Sequence, residues 1–263
     1  MSVVLAVKNK DKIILATDSQ VSYGGTKRLI TNPNSYKIWR PAGHQHLIVG
    51  GVGALRDLNI LSTVDVWFDE YVTVGSKVED FELTFSYVVR TLAPALRREI
   101  ADFVGDLEDF TSYFIFAYKD KCFEISPCGA VSELIFDEEV LAIGSGGEVA
   151  RTVYSALDGI NIPVKEKILR SLSAVCKQDL YVSYPIIIMD TNNTSSLEIY
   201  DGEYLHLSNG DSIHCEDIRD FFIKEELENK EKEIKPEKEL TKEPVLEVVD
   251  AAEVDKYELF KED

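Results

Sequence analysis

The order of hydrophobic periodicities along residues 2–222 constrains the fold of this chain more than any single motif does. Apolar β-branched runs come first, helical spacings follow, strands return, helices follow again, and strands close the series. Residues 2–8 (SVVLAVK) and 12–18 (KIILATD) predict two strands, with Asn9-Lys10-Asp11 as a turn signal between them. Further strands are expected at 34–39 and at 46–52. From Ala54 to Val72, Leu55, Leu58, Leu61, Val64, Trp67, Phe68 and Val72 fall at helical spacing. A second helix fits 81–103, which Pro94 should kink or break. Strands are expected again at 112–118, 121–126, 130–135 and 139–143. Helices follow at 147–158 and 164–177, the latter opened by Pro163, where a missing N–H costs little. The last strands fit 184–190 and 195–200. Two facing sheets with helices outside would bury this many apolar faces economically. Periodicity by itself gives an α+β class and leaves the number of layers open.

Composition narrows the function. The formal net charge of −19 over 263 residues repels phosphate backbones and anionic lipid surfaces, which argues against a nucleic-acid partner. No apolar run approaches the roughly 18 residues that a bilayer span requires, and Met1 is followed at once by Ser2-Val3-Val4-Leu5 with no basic leader. The expectation is a cytoplasmic protein with no membrane partner. Cys122, Cys128, Cys176 and Cys215 form no C-x-x-C pair and read as reduced thiols. His44 and His46 stand two apart, a spacing open to metal, but a loop entering a strand explains them more simply; no metal or cofactor is expected.

Composition also divides the chain. Residues 2–222 carry the apolar pattern, and 223–263 are dominated by Glu, Lys and Asp, with too little apolar surface to offset the entropy of ordering. An acidic, disordered tail is expected there, at most transiently helical. Val245–Val249 and Tyr257–Phe260 are small apolar islands within it, read either as chance or as docking motifs.

The common catalytic signatures are missing: no G-x-S-x-G, no G-x-x-x-x-G-K-[ST] and no H-E-x-x-H. What remains is an ordered set of segments. Ser2 follows Met1. Then come Ala16-Thr17-Asp18-Ser19, Tyr36-Lys37-Ile38, the run IVGGVGALRD from Ile48 to Asp57, LAIGSGG from Leu141 to Gly147, and Asp179-Leu180-Tyr181-Val182-Ser183. In this order the segments resemble the proteasome β-subunit family of N-terminal nucleophile hydrolases, nearest its bacterial HslV-type branch, over about residues 2 to 200.

The resemblance implies a four-layer αββα sandwich with the active site at one open end. It implies that Ser2, once Met1 is removed, is the nucleophile of a threonine-peptidase-like enzyme, where the family usually has Thr. It implies that Asp18 is the buried aspartate ending the second strand and Lys37 the catalytic lysine. Gly53 is the oxyanion-hole glycine, Ser145 the serine of the G-S-G loop, and Asp179 the aspartate that helps hold the N-terminus. Gly51 would floor the pocket for the residue before the scissile bond, leaving it deep and tolerant; alternatively it only relieves crowding in a strand. Peptides or unfolded proteins would be the substrates, a homo-oligomeric ring the assembly, and an ATPase unfoldase the partner.

The chemistry suits these residue types. A serine hydroxyl needs a base at neutral pH. A free α-amino group, with a pKa of about 7.7–8.0, supplies one on the nucleophile's own residue. A lysine cation favours loss of the hydroxyl proton, an aspartate holds that lysine, and a backbone N–H meets the oxyanion. Each residue also has a plainer reading. Asp18 fits a strand-end turn, Lys37 a solvated charge, Gly53 a helix entry and Ser145 a helix cap. Two other functions share the fold: a non-catalytic ring or scaffold subunit, and an amidohydrolase or transpeptidase acting on one defined amide.

Overall fold

The computed structural model describes residues 2–23, 26–30, 36–104, 111–193 and 197–234. The chain divides into two units, Met1–Ile223 and Lys224–Asp263. The first begins with the expected hairpin of β1 (Val4–Asn9) and β2 (Lys12–Asp18), in which Val4 faces Thr17 and Asn9 faces Lys12. A small hairpin follows, β3 (Gln20–Tyr23) with β4 (Thr26–Leu29). Then come β5 (Ile38–Trp39), β6 (Leu47–Val52) and α1 (Leu55–Thr63). Next is a second small hairpin, β7 (Tyr71–Val74) with β8 (Lys77–Asp80). One helical run follows, made of α2 (Phe85–Tyr87), a π-helical turn (Val88–Leu92) and α3 (Ala93–Val104). Four strands come next: β9 (Tyr113–Tyr118), β10 (Lys121–Ile125), β11 (Val131–Leu134) and β12 (Val140–Ile143). After α4 (Gly147–Ala156) and α5 (Val164–Gln178) come β13 (Ile186–Asp190), β14 (Glu198–Tyr200), β15 (Tyr204–His206) and β16 (Ser212–His214). The last described element is α6 (Ile218–Ile234).

Two antiparallel sheets form the centre. One has seven strands in the order β12-β1-β2-β13-β14-β15-β16, the other five in the order β11-β10-β9-β6-β5. Strand alternation decides the layering. From β1, Val4 and Ala6 enter the core between the sheets, while Leu5 and Val7 enter the core under α4 and α5. Ile13 and Leu15 of β2 face the partner sheet, whereas Ile14 and Ala16 face the helices. In the five-stranded sheet, Ile115 and Ala117 of β9 point inward, and Phe114, Phe116 and Tyr118 pack against α1 and α3. Both faces of the central strands are therefore buried, and the result is the αββα sandwich. Among the described residues, no helix is long and apolar enough to cross a membrane.

Several expectations change. The helix expected over 54–72 stops at Thr63, and Val64 is extended. Val64, Val66, Trp67 and Phe68 reach the same core from extended chain, with Phe68 stacked on Phe81 at 4.3 Å. Helical spacing among these side chains came from their common burial, and the β-branched Val72, Thr73 and Val74 then enter a strand. Pro94 does not end its helix. Without an N–H it cannot donate to the Arg90 carbonyl, and the wider π-helical turn immediately before it, where the Ala93 N–H reaches the Val88 carbonyl, absorbs the mismatch. Disorder was expected from residue 223, yet α6 runs on to Ile234. Its Glu- and Lys-rich continuation suits a solvated helix, with Lys224 and Glu228 paired across one turn at 3.9 Å. The two apolar islands, like positions 34–35 and 195–196 of the expected strands, lie outside the described residues.

The first turns of α6 also carry burial that the sequence reading missed. Phe222 is 1 % exposed in the core under α5, with the Lys165 ammonium 5.5 Å from its ring centre. Phe222→Ala is expected to cost about 3–5 kcal/mol in urea unfolding, whereas Lys224→Ala stays within about 0.5 kcal/mol. Equal, small effects for both would show that α6 is not part of the core.

Candidate active site

The site is assembled where β1 begins and β2 ends. Antiparallel pairing sets Val4 against Thr17, so Val3 comes opposite Asp18. The Val3 N–H donates to Asp18 Oδ1 at 3.0 Å, and the Thr17 hydroxyl donates to the Val3 carbonyl at 2.8 Å. Lys37 arrives from the other sheet, one residue before β5, with its carbonyl accepting from the Gly51 N–H of β6 at 2.8 Å. Its ammonium lies 2.7 Å from the same Asp18 Oδ1, and Asp18 Oδ2 accepts from the Gln20 N–H at 3.0 Å. Asp18 is fully buried and Lys37 is 3 % exposed. Burial pushes the Lys37 pKa down, against the pull of Asp18. The lysine and the peptide bond after Ser2 thus meet on one carboxylate oxygen.

One glycine turn closes on Ser2, which is itself buried, and a second lies beside the first. Gly144 has φ +94, and a Cβ on it would lie 2.1 Å from the Ser2 carbonyl oxygen. The Gly146 N–H donates to that oxygen at 3.4 Å. Between these glycines, the Ser145 hydroxyl donates to Asp179 Oδ2 at 2.9 Å, and Asp179 Oδ1 accepts from the Tyr181 N–H at 2.8 Å. The second turn follows β6. Gly53 has φ +130, and Val52 packs 3.2 Å from where a Gly144 Cβ would stand. Ser2, Asp18, Lys37, Gly53, Ser145 and Asp179 therefore gather at one end of the sandwich, in two linked groups.

No family model matches the chain. Among solved structures, it is similar to Anbu, the ancestral beta-subunit, from Yersinia bercovieri, with TM-score 0.56 and 15 % identity over 76 % of this chain and 87 % of that one. It is similar to BPH of Thiobacillus denitrificans, with TM-score 0.55 and 17 % identity over 72 % of this chain and 96 % of the other. Anbu from Hyphomicrobium sp. strain MC1 matches with TM-score 0.51 and 15 % identity over 88 % and 97 % of the two chains.

The chain has the proteasome β-subunit fold.

Within this proteasome-like fold, the structure separates the two readings of Gly51 in favour of crowding. The space in front of Gly51 is not a deep pocket. A Cβ there would stand 2.9 Å from the Phe114 ring and 3.2 Å from Leu58, because Phe114 is paired directly opposite Gly51 on β9. The sequence could not place Phe114, since that register is set by tertiary pairing.

Other residues at the site carried no assigned role. Thr17 anchors Val3. Ser112 and Asp57, both fully buried, sit against the Gly53 turn. Asp57 gave a signal in retrospect, as a carboxylate one residue before the apolar Leu58 on the inner side of α1; Ser112, an isolated serine before a strand, gave none. Cys176 competes poorly as a nucleophile. Burial, together with the Asp18 charge, pushes its pKa up to about 12, so the thiol stays protonated at neutral pH. His46 turns Nδ1 to the Thr191 carbonyl at 2.9 Å, and His44 packs its ring on Phe68.

Removing one member of the buried pair should be far worse than removing both. Asp18→Leu leaves Lys37 without a counter-charge and is expected to cost about 3–5 kcal/mol, while Asp18→Leu with Lys37→Met recovers most of that loss. Urea unfolding of the three proteins checks this. Equal losses in the single and double variants would show that the pair is not electrostatically coupled.

Proposed function

We propose that this chain is a peptidase whose nucleophile is the Ser2 hydroxyl, made competent when removal of Met1 frees the Ser2 α-amino group. The amine takes the hydroxyl proton, Oγ attacks the peptide carbonyl, and the oxyanion forms against the Gly53 N–H. Collapse returns that proton to the departing amine and leaves an ester on Ser2. Water then attacks the ester, giving up a proton to the Ser2 amine, and the acid product leaves with the hydroxyl restored. Lys37, held by Asp18, supplies the positive charge that favours the alkoxide.

One observation carries this reading: Asp18 Oδ1 is shared by the Lys37 ammonium and the Val3 N–H. Burying two charges costs several kcal/mol each before their attraction offsets it, and apolar replacements of the same size are often at least as stable. A scaffold subunit has no need of such a pair beside its N-terminal residue. A nucleophile without a histidine does. The glycine turn at Gly144 serves the same reading, since it brings backbone rather than a side chain up to the Ser2 carbonyl.

The rest of the proposal is supported by the family resemblance of the sequence. Substrates are peptides or unfolded polypeptides, the assembly is a homo-oligomeric ring, and an ATPase unfoldase is the expected partner in the cytoplasm. With Phe114 filling the space in front of Gly51, small residues are expected before the scissile bond. The Thiobacillus protein has been captured with epoxomicin, which makes that compound the first inhibitor to try here.

Ser2→Ala is expected to abolish cleavage of fluorogenic peptides while leaving the circular dichroism spectrum unchanged. Ser2→Thr keeps the hydroxyl and should keep turnover. Wild-type rates in Ser2→Ala would falsify the nucleophile assignment. In a peptide library cut by the wild-type protein, small residues should dominate before the cleaved bond; a preference for aromatic residues there would contradict the filled pocket.

A further inference from the structure

Asp57 and Ser112 lie fully buried at the corner between β6 and α1, and the mechanism above gives neither a task. Their placement starts from strand pairing. Tyr113 of β9 pairs with Val52 at the end of β6, so Ser112 is delivered to the Gly53 turn. The approach is close: a Cβ on Gly53 would lie 2.6 Å from Ser112 Cα and 2.3 Å from its Oγ. Together with φ +130, this restricts the position to glycine. One residue on, the Ala54 N–H donates to Ser112 Oγ at 3.0 Å. The Ser112 hydroxyl donates in turn to Asp57 Oδ2 at 2.7 Å, and the Asp57 N–H returns to the Ala54 carbonyl at 3.0 Å.

A hydroxyl has one proton. Committing it to a carboxylate fixes the rotor, which aims a lone pair at the Ala54 N–H. Two further features complement the Asp57 carboxylate. It stands in the first turn of α1, where the helix end is positive, and Arg56 Nε reaches its Oδ1 at 3.2 Å. Ala54, the helix N-cap, has no side-chain oxygen, so Ser112 from the residue before β9 and Asp57 from the helix's own first turn do the tethering. Glycine needs this restraint more than any other residue. Its φ and ψ are the least limited by sterics, so an untethered Gly53 could turn its N–H away from the reacting carbonyl. Electrostatic help in the transition state depends on donors that are already aimed.

We infer that Ser112 and Asp57 are positioning residues, a buried hydroxyl–carboxylate pair that fixes the Gly53–Ala54 turn so that the Gly53 N–H faces the developing oxyanion. This rests on the Ser2 reading, and the experiment separates the two. Wild type, Ser2→Ala, Ser112→Ala and Asp57→Asn full-length proteins are assayed with one fluorogenic peptide, and amide exchange at Ala54 is followed in the same set. Ser112→Ala is expected to lower kcat about 10- to 100-fold with KM within about threefold, because the lost interaction acts only in the transition state. Asp57→Asn keeps an acceptor for the hydroxyl but loses the charge, and should lose about three- to tenfold in kcat at constant KM. The Ala54 amide should exchange faster in Ser112→Ala, while Ile48 and Val49 in β6 keep their protection. Turnover by Ser2→Ala would remove the Ser2 reading and this inference with it. A Ser2-dependent activity that Ser112→Ala or Asp57→Asn leaves at the wild-type kcat, or a loss that appears in KM alone, would overturn this inference only. If Ser112→Ala does not fold, Asp57→Asn decides by the same criterion.

Discussion

Asp18 Oδ1 accepts from the Lys37 ammonium and the Val3 N–H, and much of the molecule is arranged to make that possible. Asp18 ends a strand of the seven-stranded sheet, while Lys37 leads into the five-stranded one. The ion pair therefore ties the two sheets at one end of the sandwich. Removed from water, it is held in a single geometry by the apolar core around Val4, Leu15 and Ile38. Because a buried pair of this kind contributes little net stability, its value is best sought in what it orients. What it orients is the backbone of Ser2 and Val3, since Val3 shares the oxygen and the carbonyl beyond is held by Thr17.

The Ser2 carbonyl is met by main chain, at Gly144 and Gly146. Gly144 passes close to it, and Gly53 presses equally close on Ser112. Side chains appear one layer back, where Ser145 meets Asp179 and Ser112 meets Asp57. Both are hydroxyl–carboxylate pairs set beside a glycine turn. The same solution arises twice because a turn that only glycine can adopt is also one that glycine alone cannot hold. The β6–α1 and β12–α4 corners each hand a strand over to a helix here, so the site lies where the sheets stop and the helices start.

Much of this was legible in the residues, for identifiable reasons. Strands buried on both faces leave continuous apolar runs, and SVVLAVK, KIILATD and YPIIIMD could be read to within two residues of their bounds. The segment order around Asp18, Lys37, Gly53 and LAIGSGG supplied the layering through resemblance, where periodicity alone stopped at α+β. The failures were tertiary. Trp67 and Phe68 share the core of α1 without sharing its helix, so burial imitated helical spacing. Short hairpins such as β7–β8, exposed along both strands, leave no alternation to detect. Phe114 and Ser112 act on Gly51 and Gly53 through a pairing between β6 and β9 that separates them by about sixty positions in sequence, and no local pattern encodes such a register.

The central claim is that Ser2 is the chain's reactive first residue, and covalent mapping tests it most directly. The protein would be treated briefly with an activated ester, quenched in acid, digested and read by tandem mass spectrometry. The account predicts that the N-terminal peptide lacks Met1 and carries one acyl group on Ser2, and that Lys37→Met diminishes the labelling. A protein that retains Met1, or one acylated at scattered surface lysines with Ser2 unmodified, would contradict it.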